Sequence, residues 1–111
     1  MDLGDIYPIK RFVLDHDGGA GQEEIIAAVE GKVIVVMDYV LNGDLNDGTA
    51  IWQSADTALS GTITTTAEGT TIVAPYNPKG WIQTAAGEAL NLTTSGTSAV
   101  VSGHGSYVEV G

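Results

Sequence analysis

Two histidines are the side chains in this sequence best suited to acid–base chemistry near neutral pH. His16 lies between Asp15 and Asp17, and His104 lies between two glycines near the C-terminus. Serine and aspartate are plentiful enough to complete a Ser-His-Asp site, but their spacing does not favour one, and no Gly-x-Ser-x-Gly motif is present. We therefore predict no catalytic site, and we interpret His104 as an exposed or half-buried strand residue.

Residues 42–48 (NGDLNDG) place oxygen ligands at alternating positions, as calcium loops do. The full EF-hand spacing is missing, and Asn, Asp and Gly are also the residues that tight β connections select, so a turn is favoured. Asp15 and Asp17 beside His16 form a weaker metal candidate, and residues 17–21 (DGGAG) lack the Lys-Ser/Thr of a phosphate loop. The chain has no cysteine, which excludes zinc-thiolate sites, disulfides and thiol nucleophiles. We predict no metal site and no cofactor.

The aromatic residues offer a different chemistry, the stacking of sugar rings on exposed aromatic side chains. Trp52 and Trp81 could form such a platform, although a tryptophan in a small β-domain is more often part of the core. Trp81 also closes the most distinctive segment of the chain. That segment, which we interpret as a rigid structural corner, contains Pro75, Tyr76, Asn77, Pro78, Gly80 and Trp81.

The composition narrows the class of protein before any element is assigned. The chain has 111 residues, which is enough for one domain, and 43% of them are hydrophobic, so a disordered chain is excluded. No apolar run is long enough to span a membrane, and the acidic start lacks the features of a signal peptide, so we expect synthesis in the cytoplasm. A net charge of -10 has the wrong sign for a nucleic-acid binder.

Short β-branched runs alternate with turn residues along most of the chain. Lys and Glu are scarce, whereas Thr, Ser and Gly are abundant, which argues against solvent-facing helices. Residues 32–41 are nearly continuously apolar and predict a central strand, while residues 23–29 fit either a short helix or a strand. Gly103 and Gly105 in the last strand predict a bulge or a close backbone approach.

These patterns predict an all-β fold, a β-sandwich or jelly roll of about seven to eight short antiparallel strands. Residues 1–21 differ from the rest and are interpreted as an extended N-terminal arm, which is either an edge strand or a segment that packs on a neighbour. Residues 22–111 are interpreted as a single β-sandwich domain.

Several segments resemble a small family of virion structural proteins encoded in tailed-phage genomes. The resemblance covers about residues 22–110. Its motifs are residues 25–29 (IIAAV), 31–32 (GK), 38–41 (DYVL), 57–61 (TALSG), 72–81 (IVAPYNPKGW), 84–92 (TAAGEALNL), 101–104 (VSGH) and 107–110 (YVEV). The resemblance implies a virion structural protein of sandwich or jelly-roll type. Its place in the particle is left open.

Together, the residues and the resemblance predict a capsid decoration (cement) protein on the outer capsid surface, without enzymatic activity. The expected partners are the major capsid protein and other copies of the chain, with a homotrimer as the first expectation. We expect the arm to provide the contacts with the capsid or a neighbouring copy, through Ile6, Tyr7, Pro8, Ile9, Lys10, Arg11 and Phe12. The alternative is a tail or head-fibre module that binds host-surface glycans through Trp52 or Trp81.

Overall fold

The structure, a computed structural model, describes residues 2–17, 21–44, 48–65, 70–95 and 100–111. These residues form one short 3-10 helix, Leu3–Asp5, and ten β-strands. The strands are β1 (Lys10–Asp17), β2 (Gly21–Ile26), β3 (Val33–Asp44), β4 (Gly48–Ser54), β5 (Thr57–Ala58), β6 (Ile63–Thr65), β7 (Thr70–Ala74), β8 (Ile82–Gln83), β9 (Leu90–Ser95) and β10 (Val100–Val110).

The strands form two antiparallel sheets. The first, sheet A, has the order β1-β10-β3-β7, with the short β8 also paired to β3. The second, sheet B, has the order β2-β9-β4-β5, with β6 also paired to β4. The pairing is nested: β1 pairs with β10, β2 with β9, β3 with β7 and β4 with β5 and β6. Nested antiparallel pairing divided between two sheets is the jelly-roll arrangement, which confirms the predicted fold class.

Two segments that the sequence left open are strands. Residues 10–17 form β1, the edge strand of sheet A, and the first part of the segment that also fitted a helix, residues 23–26, belongs to β2, the edge strand of sheet B. The domain boundary expected near residue 21 therefore needs correction, because β1 is a full member of the sandwich and pairs with β10 along its whole length. The two-residue strand β5 has too short a pattern to be detected in the sequence.

The core lies between the two sheets and follows the alternation of side chains along each strand. Its largest member is Trp52 on β4, whose ring makes edge contacts with Phe12 and Tyr39 at centroid distances of 6.2 and 5.4 Å. The other buried members of this cluster are Leu14, Ile26, Ile34, Val36, Leu41, Ala50, Leu90, Leu92 and Val101.

Glycines in β10 make room for these aromatic rings. A Cβ atom on Gly105 would lie 2.3 Å from Cζ of Phe12, so the phenyl ring occupies the space that a side chain would fill. A Cβ atom on Gly103 would lie 1.9 Å from the carbonyl oxygen of Val40 on the neighbouring strand. The register with β3 also shifts between Ser106 and Tyr107. The close backbone approach predicted at these glycines is confirmed, whereas the extra residue of the bulge is Met37 on β3 and not a glycine of β10.

Candidate functional site

The N-terminal segment, residues 2–9, folds back onto the outer face of sheet A. Asp2 caps the short 3-10 helix by accepting a hydrogen bond from the backbone N–H of Gly4 at 2.8 Å. The backbone N–H of Leu3 donates to the carbonyl oxygen of Pro78 at 3.0 Å. The segment is therefore held by its own chain rather than extended away from it.

Beneath this segment lies a second apolar cluster, separate from the core between the sheets. Val35 on β3 faces Val108 on β10 across the outer side of the sheet, and both are buried. Met37 of β3 also lies in this cluster. It pairs with no residue of β10, because the register between the two strands shifts at this point. Leu3 and Tyr7 of the N-terminal segment pack against this cluster and keep it from water.

The corner loop, residues 75–81, is fastened to the same part of β3. The backbone N–H groups of Asn77 and Trp81 donate to the carbonyl oxygens of Met37 and Val36 at 2.9 and 2.8 Å. The Asn77 side chain closes the turn, accepting from the N–H of Lys79 at 3.0 Å and donating to the carbonyl of Gly80 at 3.1 Å. These contacts give the predicted structural corner its physical basis.

Tyr76 joins the corner loop to the N-terminal segment. Its hydroxyl donates to the Asp2 carboxylate at 2.6 Å, and this hydrogen bond is the main reason why the pKa of Tyr76 rises to about 12. The structure therefore brings together two regions that the sequence treated separately, the arm and the corner. The sequence did indicate that something packs here. Residues 33–37 are all apolar, so β3 has apolar side chains on both faces, and both faces have to be shielded from water by other parts of the chain.

Exposed large apolar side chains concentrate on the N-terminal segment and the corner loop. Of the seven such side chains in the described part of the chain, four lie here: Ile6, Ile9, Tyr76 and Trp81. We call these four residues the attachment surface, after the function proposed for them below. They lie on backbone that is fixed by hydrogen bonds or by packing.

The expected contact residues divide into three groups in the structure. Ile6, Pro8 and Ile9 are exposed, whereas Tyr7 is half-buried against the second apolar cluster. Phe12 was expected to face a partner, but it is 5% exposed and lies inside the chain's own core, because it alternates with outward-facing residues on β1.

The two basic residues expected to touch a partner lie at the start of β1. Lys10 forms an ion pair with Glu109 on β10, and this pairing raises the pKa of Lys10 above its ordinary value. Arg11 is exposed on the outer face of sheet A.

The two tryptophans have opposite environments. Trp52 is 0% exposed, which agrees with the favoured interpretation of a core tryptophan and removes it from the alternative sugar platform, whereas the core interpretation is wrong for Trp81. Trp81 is 49% exposed, and its indole N–H donates to the carbonyl oxygen of Pro75 at 2.6 Å. A platform made of both rings does not exist in this fold.

The two histidines lie in different parts of the structure. His16 Nδ1 lies 3.0 Å from a carboxylate oxygen of Glu23, and its Nε2 lies 3.2 Å from the hydroxyl of Thr94, at the side of the sandwich where β1 meets β2. His104 is exposed on the outer face of sheet A. His104 lines a groove together with Asp38 and Ser106, and among the described residues no hydrogen bond joins its ring to either side chain.

Within the described ranges, no group of three or more His, Asp or Glu side chains is arranged to hold a metal ion. Asn42, at the start of the calcium-like segment, lies in β3 and donates its side-chain amide to the hydroxyl of Thr71 at 3.1 Å. Residues 45–47 of that segment and residues 18–20 of the glycine-rich segment lie outside the described residues.

Comparisons with known proteins give no match to a family model, to a curated protein or to a solved structure. In the part of the chain that the structure describes, no helix has the length and apolar character needed to cross a membrane.

Proposed function

We propose that this chain is a structural protein of a bacteriophage virion, a capsid decoration (cement) protein that binds the outer capsid surface and stabilises the shell. The observation that carries the proposal is the attachment surface. Large apolar side chains such as Ile6 and Trp81 remain in contact with water, which is unfavourable. A group of exposed apolar side chains of this kind is typical of protein-binding surfaces.

The charge of the chain supports an external position. A net charge of -10 keeps free copies soluble and apart, and it opposes a position against packaged DNA, which carries the same sign. The expected partner is the major capsid protein. The phage part of this proposal rests on the resemblance of sequence motifs alone, since the comparisons gave no family match.

A symmetric arrangement of copies allows many weak contacts with the capsid to replace a single strong contact. A protein mounted at a symmetric capsid position is expected to associate symmetrically, and we propose a homotrimer. When several copies act together, weak contacts gain affinity through effective concentration. A small attachment surface on each copy is then sufficient for stable mounting.

The direct test is cryo-electron microscopy of virions of the phage that encodes the chain. Density for the jelly roll on the outer capsid, where capsomers meet, is the expected result. Density restricted to the tail or fibres would contradict the capsid assignment and favour a fibre module. Absence of the chain from purified particles would contradict a virion role altogether.

A pair of variants tests the attachment surface itself. Ile6→Asp places a charge on a side chain that is 54% exposed, and we expect the variant to fold normally and to lose capsid occupancy. Val29→Asp makes the same kind of change in the connection between β2 and β3, where the side chain is 41% exposed, and should leave occupancy unchanged. Equal occupancy by the two variants, measured on purified capsids, would show that the attachment surface is elsewhere.

A further inference from the structure

A groove of about 460 Å³ crosses the outer face of sheet A beside the N-terminal segment. Ile9 and Arg11 line one wall, and Val73 and Tyr76 line the other. Its volume is in the range of about 300–1,000 Å³ that small-molecule sites occupy. The strand register explains how the sheet builds it, because two rows of side chains run side by side across the strands.

The first row is polar. Arg11 on β1 faces Ser106 on β10, which in turn faces Asp38 on β3. The second row contains His104 and Val40, which are paired in the register, followed by Val73 on β7. A ligand lying in the groove therefore meets a polar row along one side and, along the other, a row in which the imidazole of His104 lies beside Val40 and Val73.

The polar row is unsatisfied. Ser106 is only 9% exposed, yet its hydroxyl has no hydrogen-bond partner among the described residues. Arg11 and Asp38 both lack an ion pair within that same part of the chain, although they lie on one row. A buried hydroxyl without a partner costs free energy, so an unpaired one on a residue that lines a groove points to a ligand toward which the side chain turns to form the missing bond.

We propose that this groove binds an uncharged carbohydrate. Sugar hydroxyls both donate and accept hydrogen bonds, so one ring can donate to the acceptor-only Asp38 carboxylate and accept from the donor-only Arg11 guanidinium. Ser106 can take either role. The C–H face of the ring packs on Val40 and Val73, with the Tyr76 ring at the end of the groove.

The charges of the site select against other ligands. Arg11 and Asp38 carry opposite charges, so this pair by itself favours neither cations nor anions, and the net charge of -10 repels anionic ligands. An extended peptide gains most of its affinity by pairing with a free strand edge. Here the groove lies on a sheet face, where the backbone groups of β10 and β3 already bond to each other.

The proposal does not rest on the mounting of the chain on a capsid. Ile9 and Tyr76 border both the groove and the attachment surface, whereas Ile6 belongs only to the attachment surface and Asp38 only to the groove. Ile6→Asp should therefore leave sugar binding unchanged, and Asp38→Asn should leave capsid occupancy unchanged.

The test is an NMR titration of the ¹⁵N-labelled full chain with lactose, maltose, cellobiose and N,N′-diacetylchitobiose. We expect at least one of them to shift the amide signals of residues lining the groove in a saturable way, with a Kd on the order of 1 mM, as suits an open site. N-acetylneuraminic acid should bind more weakly than the best neutral sugar because it carries a negative charge.

Substitutions separate binding from structure. Asp38→Asn and Ser106→Ala should each weaken binding about tenfold, which corresponds to the loss of one well-formed hydrogen bond. Asp15→Asn is the matched control, because it removes the same charge from the outer face of sheet A at a position outside the groove. Ser106→Ala should at the same time keep or raise the free energy of unfolding, since it removes an unpaired buried hydroxyl.

Three outcomes would overturn the proposal. One is the absence of a saturable shift with all four neutral sugars. Another is a Kd that the Asp38 and Ser106 substitutions leave unchanged. The third is dimerisation in sedimentation experiments that Arg11→Gln abolishes, because the groove would then be an interface between copies.

Discussion

At the scale of single residues, small side chains in β10 decide how the core is filled. Gly105 lies beneath the Phe12 ring, and that ring contacts Trp52, so the glycine supports the aromatic centre of the sandwich. A larger residue at this position would displace either the ring or the backbone of β3, since the carbonyl oxygen of Asp38 would lie 2.5 Å from an added Cβ. Core interiors are too densely packed to accept such a change without strain.

We expect Gly105→Ala to lower the free energy of unfolding by about 1–3 kcal/mol, the usual cost of overpacking. Urea denaturation followed by tryptophan fluorescence measures it. Gly61→Ala is the control, because an added Cβ there meets nothing within 4 Å, and it should stay within about 0.5 kcal/mol of the parent chain. Equal effects at the two positions would contradict this account of the core.

The hydrogen bond between Tyr76 and Asp2 makes the anchoring of the N-terminal segment depend on pH. Because folding raises the pKa of Tyr76 from its ordinary 10.0 to about 12, the folded state holds the phenol proton more tightly than the unfolded state does. The stabilisation is therefore fully present below pH 10 and is lost as the pH rises through about 12.

The measurement is the difference in Tm between the parent chain and Tyr76→Phe as a function of pH. We expect the parent to be more stable at about pH 9 and the difference to shrink toward pH 12, as the linkage requires. Asp5→Asn, which removes a nearby charge but no hydrogen bond to Tyr76, should keep most of the difference. A difference that is constant over this range would show that the hydrogen bond does not form in solution.

At the scale of elements, the start of the chain contains two structures rather than one arm. Residues 2–9 cover the outer apolar cluster, whereas β1 supplies Phe12 and Leu14 to the core between the sheets. A truncation that removes residues 1–14 would therefore take away part of an eight-residue strand along with both core side chains. We therefore expect a chain without residues 1–14 to lose stability rather than to remain a folded domain.

Two neighbouring residues on β1 test its place in the sandwich. Phe12→Ala should lower the free energy of unfolding by about 3–5 kcal/mol, because it opens a cavity beside Trp52. Val13 is 76% exposed on the opposite face, so Val13→Ala should change stability by no more than about 0.5 kcal/mol. Comparable losses in chemical denaturation would mean that β1 does not pack as the structure describes.

At the scale of the whole molecule, the excess of acidic residues acts on stability. Fourteen Asp and Glu side chains face only four Lys and Arg, so the compact state brings like charges together. Self-repulsion of this kind destabilises a folded chain and is weakened by salt. The same repulsion has to be overcome when copies assemble, which is a reason to expect assembly on a surface rather than free in solution.

We expect the Tm to rise when the salt concentration increases from about 0.01 M to about 0.2 M, because the screening length falls from about 30 Å to below about 10 Å. Differential scanning calorimetry measures this. A double variant, Glu24→Gln with Glu30→Gln, removes two exposed charges and should show a smaller rise. A Tm that is independent of salt in both chains would contradict a role for net charge.

Much of the fold class was determined by the sequence alone. Period-two patterns, abundant Thr and Gly, and the scarcity of Lys and Glu predict an all-β chain, because these are local preferences that each strand carries by itself. The absence of cysteine and the net charge of -10 exclude whole classes of site in the same way. The glycines of β10 marked the close approach of the neighbouring strand and the Phe12 ring, because a missing side chain is visible in the sequence.

Only the tertiary structure decided which strands pair and which face of each strand is covered. Alternation shows that Phe12 and Val13 point in opposite directions, but it does not show which of them points inward. Trp52 and Trp81 look alike in the sequence, yet one is buried and the other is exposed, because their environments come from strands far away in the chain. The groove is the clearest example of a feature that only the tertiary structure decides. Arg11, Ser106 and Asp38 lie side by side because β1 pairs with β10 and β10 pairs with β3.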